Sequence, residues 1–187
     1  IEGLPYNRTT FLKASKKTYG RVEVKEPKVS IAYLPQNLRK IEPLATQDAA
    51  VTRKINLSVA PSLRTGLDFR VNNTTHSVDR PVFVGELQVW EVSNTSRMDH
   101  PFHLHGFFFQ VLEENGVAPE FMAWKDTVNL KPRTKIKIAW MPDNRPGRWM
   151  YHCHIIEHHE AGMMATFDVV DGSKPYLLST SGQCHSK

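Results

Sequence analysis

His152-Cys153-His154-Ile155-Ile156-Glu157-His158-His159-Glu160-Ala161-Gly162-Met163 gathers four imidazoles, a thiol and a thioether into one short stretch. A second stretch, His100-Pro101-Phe102-His103-Leu104-His105-Gly106, holds three more imidazoles, so seven of the nine histidines of the 187-residue chain fall in two clusters. Histidines serving as unrelated core or surface groups would not assemble in this way. Strand periodicity gives the clusters a geometry. If they are extended, His103 and His105 face one way, as do His152 and His154, while Cys153 points to the opposite side, where His158 and Met163 return from the following loop. One tripeptide thus joins two sites back to back.

The sequence around the clusters fits that reading. Apolar and polar residues alternate through Lys54–Val59, Phe69–Val71, Glu86–Val89, Lys135–Trp140 and Ala165–Val169, the pattern of strands that each cover one side of a core. The apolar run Phe107–Leu112 suits a more buried strand. Turn-formers separate the runs at Asn72-Asn73, Asn115-Gly116, Lys131-Pro132 and Asp143–Gly147. About seven short strands at this spacing predict an all-β fold, a Greek-key sandwich or barrel. Helical signal is confined to one or two turns over Ala118–Trp124 and a terminal piece over Lys174–Ser181. A strand-like pair, Arg21–Val24 and Val29–Tyr33, precedes a polar stretch, so the expected organisation is a trailing part of a preceding domain over 1–33, a linker over 34–52, the main domain over 53–172 and a tail over 173–187.

Ligand chemistry selects the metal. A thiolate, two imidazoles and a weak thioether, here Cys153, His158, His100 and axial Met163, form the set of a blue-copper electron-transfer centre. Zinc accepts the thiolate and imidazoles but has little use for methionine. His103, His105, His152 and His154 form a second, all-imidazole group suited to copper. With only Cys153 and Cys184 in the chain, a disulfide scaffold is excluded.

The two clusters resemble those of the C-terminal cupredoxin domain of multicopper oxidases, the group that includes laccases, bilirubin oxidases, cuprous oxidases and ferroxidases. The order of ligands, the HPxHLHG form, the HCHxxxH spacing and the Met ten residues after the Cys all agree. Phe69–Asn72, Leu87–Asn94 and Trp124–Val128 extend the likeness over roughly residues 53 to 170. Leu4–Arg8 and the strands after it look like the end of a preceding cupredoxin domain. The resemblance implies that His100, Cys153, His158 and Met163 bind type 1 copper, His103 type 2 copper, and His105, His152 and His154 the type 3 pair. It further implies that a reducing substrate (a phenol, an aromatic amine or a metal ion) gives electrons to type 1 copper through an exposed His edge. They then pass through Cys153 to His152 and His154, and dioxygen is reduced to water.

A trinuclear centre in this family takes eight histidines, of which this chain supplies four. The other half is expected from a missing N-terminal domain or a second chain, in keeping with a sequence that starts at Ile1 rather than Met. The resemblance also implies a secreted or periplasmic location. Where many relatives have Glu after the type 1 His, this chain has His159-Glu160, which leaves three readings: an imidazole proton relay, Glu160 in that role, or an exposed bystander. Phe107, where some relatives have another His, is expected in the core, and Asp126 is a candidate to orient a ligand His.

Charge and length narrow the partners. The formal charge is +5, with 14 Lys/Arg against 7 Asp/Glu in residues 1–80 and 10 against 12 beyond. The basic residues are dispersed among Glu, which is a solvated surface rather than a nucleic-acid face. No apolar stretch approaches the roughly 18–20 residues of a membrane span. Two other readings remain: copper binding or electron transfer without oxygen reduction, and a copper nitrite reductase relative. The paired histidines flanking Cys153 speak against the second.

Overall fold

A computed structural model describes residues 2–3, 17–23 and 40–172. Glu2–Gly3 (β1) and Lys17–Thr18 (β2) form a short antiparallel ladder. From Arg53 onward come β3 (Arg53–Ser62), β4 (Gly66–Val71), β5 (Ser77–Val78), β6 (Val82–Phe83), β7 (Gln88–Asn94), β8 (His100–Leu104) and β9 (Phe109–Glu114). They are followed by β10 (Trp124–Lys125), β11 (Thr127–Leu130), β12 (Lys135–Trp140), β13 (Gly147–Cys153), α1 (Ile156–Glu160) and β14 (Met164–Val170).

These strands make two layers. One sheet runs β10-β9-β12-β7-β3-β4, and the other runs β11-β8-β13-β14-β5 with β6 also on β14. Pairing is antiparallel except for β3 with β7 and for β14 with β5 and β6. Between the layers lies a core whose largest buried side chains are Trp90, Trp140, Tyr151, Phe102, Phe109 and Phe167. Trp90 meets Trp140 edge to face at 4.9 Å, a geometry favoured by the ring quadrupoles. The expected all-β cupredoxin sandwich is the fold observed.

Local sequence explains much of it. In β12, Ile136 and Ile138 are buried while Lys135 is exposed, the alternation of a one-sided strand. Asn115 and Gly116 sit at φ 51° and 82°, the double positive φ of a two-residue hairpin turn. Asn72 and Asn73 do the same at 49° and 69°. Residues 42–52 are bound to the outer face of the first sheet. There Leu44 N–H donates to Gln110 Oε1 at 2.7 Å, Gln110 Nε2 donates to Glu42 O at 2.9 Å, and Leu44, Ala45 and Ala49 pack on Val89, Leu112 and Ala139.

Two local expectations fail. Ala118–Trp124 is not helical, because Pro119 holds Ala118 away from the helical region and Trp124 and Lys125 are drawn into pairing with Gln110 and Phe109. Arg21–Glu23 are exposed and irregular rather than a strand. Val24, the expected strand at 29–33, the helical piece at 174–181, Cys184 and His185 lie outside the described residues.

Candidate metal centre

β8 is held between β11 and β13, and this pairing builds the site. His152 lies directly opposite His103 and Cys153 opposite Phe102, while His154 N–H donates to Pro101 O at 2.7 Å. On β8, His100, Phe102 and Leu104 face the core and His103 faces away. His100 therefore lies on the Cys153 side and His103 on the side of His152. The turn into α1 then brings His158 back. Gly162 allows this return: its φ is +113°, and a Cβ there would stand 2.5 Å from Thr75 Cβ. Met163 N–H donates to His158 O at 2.9 Å, and Cys153 N–H donates to Met163 O at 3.1 Å.

The first cluster is closed. His100 Nδ1 is 3.1 Å from His158 Nδ1, and each is 3.6 Å from Cys153 Sγ. His100 and Cys153 are inaccessible, His158 is 3% exposed, and the neighbouring Met163 is fully buried. Burial pushes the Cys153 thiol up to about 12, against the opposing Ile155 backbone bond. Burial and the nearby His158 hold His100 down to about 3. Three donor atoms facing one another with their protons suppressed or displaceable are what one ion bound at about 2.0–2.3 Å requires. The donor set fits a thiophilic ion.

The second cluster is open. Donor atoms of His103, His105 and His152 converge within 4.8 Å, with His105 Nε2 2.8 Å from His152 Nε2. His103 Nδ1 lies 3.0 Å from Asp126 O and 2.8 Å from Thr127 Oγ1, and His152 Nδ1 lies 2.8 Å from Cys153 O. His103 and His152 thus spend Nδ1–H on backbone carbonyls and leave Nε2 free for the cluster. Burial lowers His152 to about 4, partly countered by the Cys153 carbonyl, and burial followed by the neighbouring imidazoles lowers His105. His154 is exposed and stands beside this convergent set, its ring 5.4 Å from that of His103 and 5.6 Å from that of His152.

A family description, multicopper oxidase, matches residues 42–173. The chain belongs to the multicopper oxidase family. It is 39% identical over 94 residues to a multicopper oxidase of Staphylococcus epidermidis, covering 47% of this chain and 21% of that one. It is 33% identical over 137 residues to a laccase of Haloferax volcanii, covering 65% and 22%. A crystal structure of a multi-copper oxidase from Pediococcus acidilactici superposes with a TM-score of 0.67 at 33% identity, covering 80% of this chain and 32% of that one. The chain spans about a fifth of the length of these curated relatives.

Against the multicopper oxidase pattern, several residues take definite places. His159 is half-buried and stacks on His152 at 4.4 Å and 23°, so it is no exposed bystander; its Nδ1 is 4.0 Å from Glu160 Oε1. Asp126 orients His103 through its backbone carbonyl rather than its carboxylate. Phe107 is buried between Trp140 and Trp149, as expected. Of the two histidines expected on type 1 copper, His100 is inaccessible and His158 keeps 3% exposure. His158 is covered by Phe69, whose ring stacks on it at 4.2 Å and 19°. Sequence reasoning overlooked Phe69 and Ser96, whose hydroxyl is 2.8 Å from His100 Nε2. The only sequence signal was Phe69's place in a stretch resembling the family.

Proposed function

We propose that this chain is the copper-bearing C-terminal part of a multicopper oxidase that oxidises a reducing substrate and reduces dioxygen to water. The observation that carries the reading is the back-to-back arrangement, a buried Cys153–His100–His158 cluster joined through one tripeptide to an open imidazole cluster. Copper, when bound, would supply one-electron exchange at the first cluster and the redox chemistry of dioxygen reduction at the second. The chain's own residues give shape to both. Cys153, His100, His158 and Met163 would hold type 1 copper. His103 would hold type 2 copper, and His105, His152 and His154 would serve the type 3 pair. Cys153, covalently continuous with His152 and His154, provides the shortest chain of bonds between the clusters.

The second cluster is open on the side where His154 is exposed, which supports a partner surface carrying the other four histidines, from another domain or another chain. A phenol, aromatic amine or metal ion remains the substrate class, and a secreted or periplasmic location is part of the same proposal. The test is dioxygen consumption with a phenolic reductant. The full-length copper-loaded protein should turn over, and this chain alone should not. Sustained oxygen reduction by the chain alone would refute the shared trinuclear site.

A further inference from the structure

The two imidazoles of the Cys153 cluster are each gripped from outside the donor set, by neighbours of opposite character. On one side, Ser96 Oγ lies 2.8 Å from His100 Nε2, 2.9 Å from Asn94 Oδ1 and 3.1 Å from Met98 N. The Met98 N–H donates to the hydroxyl, and the hydroxyl hydrogen has two oxygen acceptors in reach, Asn94 Oδ1 at 2.9 Å and Met98 O at 3.3 Å. The remaining lone pair of Ser96 then accepts His100 Nε2–H. That fixes the tautomer, leaving Nδ1 as a bare lone pair aimed at Cys153 Sγ and His158 Nδ1. On the other side, Phe69 of β4 lies flat against His158, centroids 4.2 Å and planes 19° apart. Phe69 is half-buried while His158 is 3% exposed, so a phenyl ring stands where water would otherwise reach the imidazole.

We propose that Ser96 and Phe69 are a pair of positioning residues for the type 1 cluster that move the reduction potential of its copper in opposite directions. The proposal rests on the copper reading above. A hydrogen bond accepted from Nε2–H makes the His100 imidazole a stronger donor, which favours the more highly charged oxidised ion. An apolar ring that excludes water lowers the local dielectric and favours the less charged reduced ion. Ser96 therefore lowers the potential, and Phe69 raises it. Phe69 also fixes the plane of His158 through a strand distant in sequence.

The experiment is spectroelectrochemistry on the full-length copper protein with Ser96→Ala, Ser96→Thr, Phe69→Ala and Phe69→Tyr, alongside chelator competition for copper affinity. Ser96→Ala should raise the potential and Phe69→Ala should lower it. Each should weaken copper binding by about 10- to 100-fold, and Ser96→Thr and Phe69→Tyr should restore values near wild type. Shifts of the same sign, or none, would overturn the proposal, since loosening the fold would not split by sign. A second measurement needs neither copper nor a folded variant: nitrogen NMR of His100 in the metal-free wild-type chain. The Nε2–H tautomer supports the assignment, and the Nδ1–H tautomer overturns it. A wild-type protein without a thiolate-to-copper band would overturn the copper reading and this proposal together, on a sample in which neither residue had been changed.

Discussion

Asp79 is shared by two buried groups. Its carboxylate sits 3.1 Å from Arg53 Nη1 and accepts the Tyr151 hydroxyl at 2.9 Å, while the Arg53 guanidinium also lies over Trp90 at 4.7 Å. Burial pulls the Arg53 pKa down against the pull of Asp79, and burial pushes that of Tyr151 well up. Asp79→Ala leaves a cation whose side chain is only 4% exposed without its counter-charge, so we expect a loss of about 3–5 kcal/mol in denaturant unfolding. A loss below about 1 kcal/mol would show that Arg53 finds water instead. Glycine matters at one residue for the metal loop: Gly162→Ala would drive a Cβ to 2.5 Å from Thr75 Cβ and 2.8 Å from its Cγ2, at φ +113°. That overpacking and strain should cost about 1–3 kcal/mol, and it should speed metal loss, because Gly162 immediately precedes Met163 and its carbonyl accepts His76 N–H at 2.9 Å.

Among the elements, β8 and β13 carry the pH response. In the metal-free protein His100 is held near 3 and His152 near 4, against about 6.5 for an unfolded histidine. The unfolded chain therefore binds protons that the native chain refuses. Stability is full above pH 6.5 and falls as pH drops toward those values, by up to about 1.4 kcal/mol per pH unit for each ring. Denaturant titrations from pH 7 to pH 4 on metal-free protein should show this loss, and His100→Gln should remove His100's share and leave that of His152; a pH-independent midpoint would contradict it. The same elements show what was legible in sequence. β12 and β9 were readable because alternation and a mostly apolar run report on burial, although Phe108, just before β9, is 63% exposed and the polar Gln110 within the run is fully buried. The facing of His152 and Cys153 to opposite sides followed from strand period alone, whereas placing His103 with His152 needed the β8–β13 register. α1 was not readable, since five residues with two adjacent histidines carry no helical stripe, and neither was the irregular course of 118–123 into β10. Phe69 and Ser96 escaped notice because stacking and hydroxyl contacts depend on how β4 and the bend after β7 pack, which no local period encodes.

For the whole molecule, folding and metal binding are one equilibrium. Two neighbouring strands of one sheet, β8 and β13, and α1 hold a thiol and two imidazoles together before any ion arrives, so a thiophilic ion should stabilise the native state by mass action. Zn²⁺ at a hundredfold its Kd should add about 2.7 kcal/mol, with protons released as Cys153 ionises, and calorimetry in buffers of different ionisation enthalpy would count them. The open imidazole cluster is the feature behind the proposal that the oxygen chemistry is assembled across a boundary. Copper titration of this chain, followed by absorption, paramagnetic resonance and metal analysis, is the most direct test of the central claim. The account predicts one tightly held copper with an intense thiolate-to-copper band and a type 1 signal, both abolished in Cys153→Ser. A chain that binds copper without that band, or keeps it after Cys153→Ser, would contradict the account.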